Sequence, residues 1–211
     1  MNIRLNKLTI ATMALAILAV PASADIIETF KLTLNSCSGN CGPGPYATIT
    51  LDQVNSTTVL VTETLFSGEH YVSTGTGDSL VFNISGVTGT TSLTNLSAGF
   101  HQDTGTPTIA NYGTFGYGVA CNDVKPTCHG GSGTLTTVSF DVVNSNGISI
   151  SNFTANTSGY YFASDIYSNG TTGNTATNVA GVFNTPEPAT FALLGLGLCG
   201  IGLSMRRFSR K

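Results

Sequence analysis

Five cysteines and three histidines are the side chains of this 211-residue chain best suited to redox, metal or nucleophilic chemistry. Cys37, Cys41, Cys121 and Cys128 lie in the body of the chain, while Cys199 sits in an apolar stretch near its C-terminus. The first pair encloses Ser38-Gly39-Asn40, and the second encloses a polar loop of Asn, Asp, Lys and Pro. In an oxidising compartment four cysteines form two disulfides, for which three connectivities exist. Pairing inside each loop needs no tertiary contact, so Cys37–Cys41 and Cys121–Cys128 are expected, with crossed pairs as the alternative. Zinc would draw on these cysteines and on His129 beside Cys128. Neither spacing is the tight Cys-x-x-Cys knuckle that tetrahedral thiolate sites use. No metal and no cofactor are expected.

Catalytic constellations are equally hard to assemble. His70, His101 and His129 each occupy a loop-like context containing Gly or Ser. His101 with Gln102, Asp103 and Thr104, and Asp165 between Ser164 and Ile166, are the polar groups placed to serve a site. The chain contains no Gly-x-Ser-x-Gly elbow, no His-Glu-x-x-His, no phosphate loop and no Asp-rich calcium loop. Glycoside hydrolysis needs two opposed carboxylates, and nothing in the pattern selects a pair. The expectation is a protein that is not an enzyme, with a small secreted hydrolase as the weakest alternative. Sequons of Asn-x-Ser/Thr form at Asn55, Asn83, Asn95, Asn152, Asn156 and Asn169 are common by chance in a composition so rich in these residues.

The elements that must position these residues show a period of two. Phe30, Leu32 and Leu34 alternate with Lys31 and Thr33; Ala47, Ile49 and Leu51 alternate with Thr48, Thr50 and Asp52. Asn55-Ser56 then turns the chain into Val59–Leu65. Leu80, Phe82 and Ile84 repeat the pattern, as do Val138, Phe140 and Val142, which lead through 144–147 to Ile148 and Ile150. Tyr160, Phe162 and Ile166 precede an Asn169-Gly170 turn. Alternating β-branched and aromatic residues between Gly/Asn turns mean half-buried strands. About eight to ten strands in this length point to an all-β fold, an antiparallel β-sandwich of jelly-roll-like topology.

Both ends differ from this body. Asn2–Lys7 carries Arg4 and Lys7, Leu8–Val20 is apolar, and Ala22-Ser23-Ala24 is a small-residue cleavage site. Residues 1–24 therefore read as a signal peptide. At the other end, Thr185-Pro186-Glu187-Pro188 precedes an apolar run from Phe191 to Met205, then Arg206, Arg207, Arg210 and Lys211. The prolines fix an extended hinge. At about 1.5 Å per residue the apolar run is about 24 Å long, short of a ~30 Å hydrocarbon core, so it suits a thin or temporary transmembrane helix. The terminal cations stay on the cytoplasmic side and leave the body outside. Gly195, Gly197 and Gly200 have dinucleotide-loop spacing but lack the preceding strand and following acid, and they suit close helix approach instead. Between residues 25 and 185 two cations face ten acids, a net charge of −8. That balance argues against nucleic acid or anionic lipid as a partner.

Pro186-Glu187-Pro188, the Gly- and Leu-rich span and the terminal cluster with Arg206 and Arg207 together resemble the PEP-CTERM sorting signal of exported bacterial proteins. Phe191 stands where many members carry Trp, which keeps an aromatic at the interface. The resemblance implies exosortase, an intramembrane cysteine protease or transpeptidase, as the processing partner. It implies a chain anchored transiently in the inner membrane, then sent to the cell surface or extracellular space of a Gram-negative bacterium. It also implies an association with exopolysaccharide and biofilm. The body, through 77–86, 115–121, 135–153 and 160–165, resembles a recurrent ectodomain of the same proteins, which implies no activity. The expected organisation is a signal peptide (1–24), a β-sandwich ectodomain (25–184) and the sorting signal (185–211). A carbohydrate-binding module that stacks sugars on Tyr112, Tyr117, Tyr160 and Tyr161 is the alternative function.

Overall fold

Alternation of apolar and hydroxyl side chains builds sixteen strands among the residues described by the computed structural model, which are 26–73, 78–122, 128 and 133–184. They are β1 (Ile27–Leu32), β2 (Leu34–Cys37), β3 (Ala47–Asn55), β4 (Thr58–Leu65), β5 (His70–Tyr71), β6 (Leu80–Ile84), β7 (Thr91–Thr94) and β8 (Phe100–Asp103). The chain continues with β9 (Thr108–Ile109), β10 (Gly113–Thr114), β11 (Tyr117–Cys121), β12 (Thr137–Asn144), β13 (Phe153–Thr154), β14 (Phe162–Ser168), β15 (Thr171–Thr177) and β16 (Val182–Asn184). Residues Ile26–Asn184 form one unit. The expected signal peptide with Ala22 and Ala24, the expected transmembrane helix, and Pro186, Glu187, Pro188, Arg206 and Arg207 all fall outside the described residues. Among the described residues no helix is long and apolar enough to cross a membrane.

A two-stranded β9–β10 sheet and two large antiparallel sheets result. One runs β16-β1-β3-β4-β12-β7; the other runs β2-β15-β14-β6-β11-β8, with β13 paired to β6 and β5 paired to β14. Their facing sides share one apolar cluster. Phe30, Ile49, Leu51, Val61 and Phe140 come from the first sheet, and Leu80, Phe82, Val119, Phe162 and Ile166 from the second. Phe82 is the hub, with its ring 5.6 Å from Tyr117, 5.7 Å from Phe140 and 5.5 Å from Phe153. A second cluster lies on the opposite face of the eight-stranded sheet, where Ile109, Tyr112 and Phe115 cover Val81, Ala163 and Ala176. That sheet is therefore buried on both faces over β6 and β14, which is why Leu80-Val81-Phe82 and 162–166 are buried without alternation.

Local chemistry explains the turns and the departures from the expected pattern. Asn169 and Gly170 have φ of 49° and 84°, the backbone of a two-residue type I′ hairpin, which Asn-Gly adopts at low cost. Asn55 Oδ1 accepts the Thr57 amide and hydroxyl, both at 2.9 Å, closing the β3–β4 hairpin. The alternation of Phe30, Leu32 and Leu34 does not belong to one strand. At Thr33, whose amide donates to the Ala176 carbonyl at 3.1 Å, the chain crosses sheets, so Leu32 enters the main core and Leu34 packs on the second cluster. Ile148 and Ile150 are buried but lead into a 3-10 turn, Ile150–Asn152. There the Gln53 side chain donates to the Ile148 carbonyl and accepts from the Ile150 amide.

Part of the hydroxyl-rich composition lies on the outer face of the six-stranded sheet. Thr29, Thr50, Thr62 and Ser139 align across four neighbouring strands, and Thr48, Thr64 and Thr137 align in the next row. All seven are half-buried or exposed. These positions keep the β-branched preference of a strand while remaining wettable.

Residues 26–184 should give a strand-type far-ultraviolet circular dichroism spectrum and unfold cooperatively. Phe82→Ala should lower the unfolding free energy by about 3–5 kcal/mol, as expected for a fully buried aromatic. A helical spectrum, or a loss below about 1 kcal/mol, would contradict this packing.

Candidate functional site

Strand β4 follows the inward pattern Val59, Val61, Glu63, Leu65, so a carboxylate occupies a core position. Glu63 is fully buried. The Tyr71 hydroxyl donates to its Oε2 at 2.9 Å, and Ser164 Oγ lies 3.3 Å from the same atom. Oε1 has no hydrogen-bond partner among the described residues. Desolvation pushes the carboxyl up to about 8, outweighing the lowering effect of the two hydroxyls. Burial, reinforced by Glu63, also raises the Tyr71 hydroxyl well above its ordinary range. Ser164 is also bonded to the Ser79 carbonyl. A single hydroxyl proton cannot serve both neighbours, whereas a protonated Glu63 donates to Ser164 while Ser164 donates to Ser79. Geometry and desolvation therefore agree on a neutral Glu63 at neutral pH.

A second polar group forms on the eight-stranded sheet, in the region of His101, Asp103 and Asp165. The fold adds Asp78, which is 5 % exposed and whose carbonyl accepts the Asp165 amide at 3.1 Å. Burial first, then the Asp103 carboxylate, raises Asp78 to about 7; His101 opposes the rise and Asp165 adds to it. His101 Nδ1 lies 2.8 Å from Asn122 Oδ1, and Asp103 Oδ1 accepts the Gly105 amide. Gln102 pairs with Val119 on the same β8–β11 ladder. Among the described residues no group of three or more His, Cys, Asp or Glu side chains is placed to hold a metal ion.

Cys37 is bonded to Cys41 and Cys121 to Cys128, with Cα separations of 6.0 and 6.1 Å. The four sulfurs are thus not thiolates. His129 lies outside the described residues. Loops this short contribute about 2–3 kcal/mol each at most, so the bridges act chiefly on local loop geometry. Tyr112 is 4 % exposed and packs edge-on to Tyr160 at 5.0 Å. Tyr117 stacks on Phe82, and Tyr161 lies 5.7 Å from Phe30. Tyr112 is thus buried, while Tyr117, Tyr160 and Tyr161 are half-buried and pack against the clusters. The sequon asparagines are likewise engaged. The amides of Asn55, Asn83, Asn95, Asn152, Asn156 and Asn169 each hydrogen-bond within the fold, with Asn156 buried under the Tyr112 carbonyl.

Glu63, Tyr71, Ser164 and Asp78 escape a search for motifs, because no short spacing links 63, 71, 78 and 164. One signal was available: an acid on the inward phase of an otherwise apolar strand.

These features define an all-β, disulfide-pinned domain with a buried carboxyl at Glu63 and an acidic group around the buried Asp78 and Asp165. Residues 184–207 match the family model of the PEP-CTERM protein-sorting motif, so the chain carries that motif directly after β16. The motif implies an exported protein that is anchored in the membrane and then processed by exosortase. No curated protein and no solved structure matches the chain.

The raised carboxyls set a sign for pH dependence. The folded state holds a proton on Glu63 up to about pH 8, which the unfolded chain releases above its ordinary 4.5. Stability should therefore fall as pH rises between those values, by up to about 1.4 kcal/mol per pH unit. Asp78 contributes in the same direction between 3.8 and about 7. Chemical denaturation from pH 5 to 8.5 should show this decline, and Glu63→Gln should flatten it above about pH 7. Equal slopes for variant and wild type would refute the assignment. Separately, mass spectrometry of the exported protein should find both intraloop disulfide peptides and no free thiol among Cys37, Cys41, Cys121 and Cys128.

Proposed function

We propose that the protein is a non-catalytic surface or extracellular-matrix protein of a Gram-negative bacterium, associated with exopolysaccharide or biofilm and released from its anchor by exosortase. The observation that carries the reading is the tripartite motif at 184–207, which begins where the last strand of the folded unit ends. In this reading residues 1–24 are a signal peptide cleaved after Ala24, and 185–211 comprise the hinge, a transmembrane helix and a basic end. Residues 25–184 form a β-sandwich with jelly-roll-like connections. Two sheets with a common apolar cluster, and a chain that passes repeatedly between them, support that architecture. A body net charge of −8 disfavours polyanions and leaves neutral or cationic polymers as partners.

The hinge supplies what an anchor alone does not need. A stop-transfer helix requires apolar length and flanking cations, and Glu187 hardly affects its insertion. An enzyme that takes an extended peptide gains from Pro186 and Pro188, which lose less backbone entropy on binding, and from Glu187 as the sole charge nearby. Arg206 and Arg207 hold the span in register on the cytoplasmic side.

Glu187→Ala should leave export intact and accumulate an uncleaved, membrane-bound form, whereas removal of residues 206–211 should loosen retention or orientation. Immunoblots of membrane and medium fractions in the native host read both effects. If Glu187→Ala is cleaved and released like wild type, the tail is an anchor and the processing reading fails.

A further inference from the structure

Strand β16 is held differently from every other strand of its sheet. It lies at the edge and pairs with β1 through three residue pairs: Ile27 with Asn184, Glu28 with Phe183, and Thr29 with Val182. Its large side chains add nothing to the core, since Val182 is 67 % exposed and Phe183 57 % exposed. Val179, three residues upstream, and Ile26, just before β1, are exposed too. Beneath it lies a buried carboxyl whose desolvation the Gly181 amide partly offsets. Glu28 is 6 % exposed, its carboxyl accepts the Gly181 amide, and burial raises its proton affinity. Gly181 passes so close that a Cβ there would fall 2.5 Å from Glu28 Cγ and 2.8 Å from the Phe30 ring.

Strand ends with few buried apolar contacts open at low cost. Detaching β16 would forfeit three residue pairs and take no β16 side chain out of the apolar cluster. Moving Gly181 with it would return Glu28 to water at the cost of uncovering one edge of Phe30. The match to the sorting motif begins at the strand's last residue, Asn184. An enzyme that binds an extended peptide draws on backbone groups to either side of the motif, as in strand-addition recognition. On the N-terminal side the groups along one edge of β16 are already paired to β1, and those along its other edge are open.

We infer that Val182–Asn184 is a detachable part of the processing substrate: the strand leaves β1 and passes to the processing enzyme, with Val182 and Phe183 as its apolar contacts. Pairing to β1 and processing then exclude one another. The proposal rests on the reading of 184–207 as an exosortase signal, and it extends the recognised segment upstream into the folded domain.

Covalent closure tests it. Thr29 and Val182 are an antiparallel pair, whose Cα atoms lie about 4.5–5.5 Å apart, inside the range a disulfide spans. Full-length Thr29→Cys/Val182→Cys, produced in the native host and oxidised on export, should lose processing and accumulate in the membrane. A thiol reductant applied to spheroplasts should restore cleavage, while wild type treated alike should change little. Gly181→Ala acts in the opposite sense by crowding Glu28. It should be processed at least about threefold faster in a pulse-chase, as expected when local opening gates the step. Cleavage of the oxidised double variant at the wild-type rate, or a Gly181→Ala protein no faster than wild type, overturns the proposal. That outcome would mean the enzyme binds the open edge of β16 or only the residues beyond it. A Glu187→Ala control separates the two levels: its normal processing would sink the sorting reading itself, and its arrest alongside a freely cleaved locked variant would sink only the detachable strand.

Discussion

Strand β14 is covered on both faces, and every polar group it carries must therefore find a partner inside the protein. This constraint organises much of the molecule. Phe162 and Ile166 point to the shared core, and Ser164, on the same phase, meets Glu63 and the Ser79 carbonyl. On the opposite phase Ala163 joins the second cluster, and the Asp165 amide is received by Asp78. At the strand's end Ser168 donates to the Cys41 carbonyl at 2.9 Å, which ties the first disulfide loop to the sheet. The two buried acidic groups and one disulfide loop all connect to this single strand.

That arrangement separates two kinds of polarity. Hydroxyls on the outer face of the six-stranded sheet need only water, and they repeat in rows because the sheet repeats. Polar groups at Glu63, Asp78 and Ser164 are enclosed, and desolvation raises the proton affinity of both acids. Enclosed neutral acids stabilise the fold only while they stay neutral. Ionisation of these acids as pH rises therefore works against the folded state.

The edge formed by β1 and β16 has the opposite character. Ile27 pairs with Asn184, so the two ends of the folded unit leave it side by side. The last strand adds exposed apolar side chains rather than core contacts, and the match to the sorting motif begins at its last residue. A strongly held interior and a weakly held final strand are compatible because the core cluster draws no residue from β16.

Much of this was legible in the residues alone, for physical reasons. The sorting motif is local: prolines, an apolar run and terminal cations act by their order along the chain. Strands such as β3, β4 and β12 show a period of two because one face meets the core and the other meets water. The disulfide loops are short enough that sequence proximity brings their sulfurs together. Where a sheet is buried on both faces, however, alternation vanishes. Four strands of only two residues leave no pattern to read, and β15, Thr-Thr-Gly-Asn-Thr-Ala-Thr, lacks the large apolar residues that would mark it. The crossing at Thr33 was invisible because Leu32 and Leu34 continue one alternation while entering different clusters. Tyr112, Tyr117, Tyr160 and Tyr161 suited a sugar platform in sequence, and only packing showed Tyr112 buried and the other three half-buried. The convergence of Glu63 with Tyr71 and Ser164, and of Asp78 with Asp103 and Asp165, joins residues up to about a hundred positions apart. Such contacts are set by sheet register and by which faces are covered, and tertiary structure alone decides those.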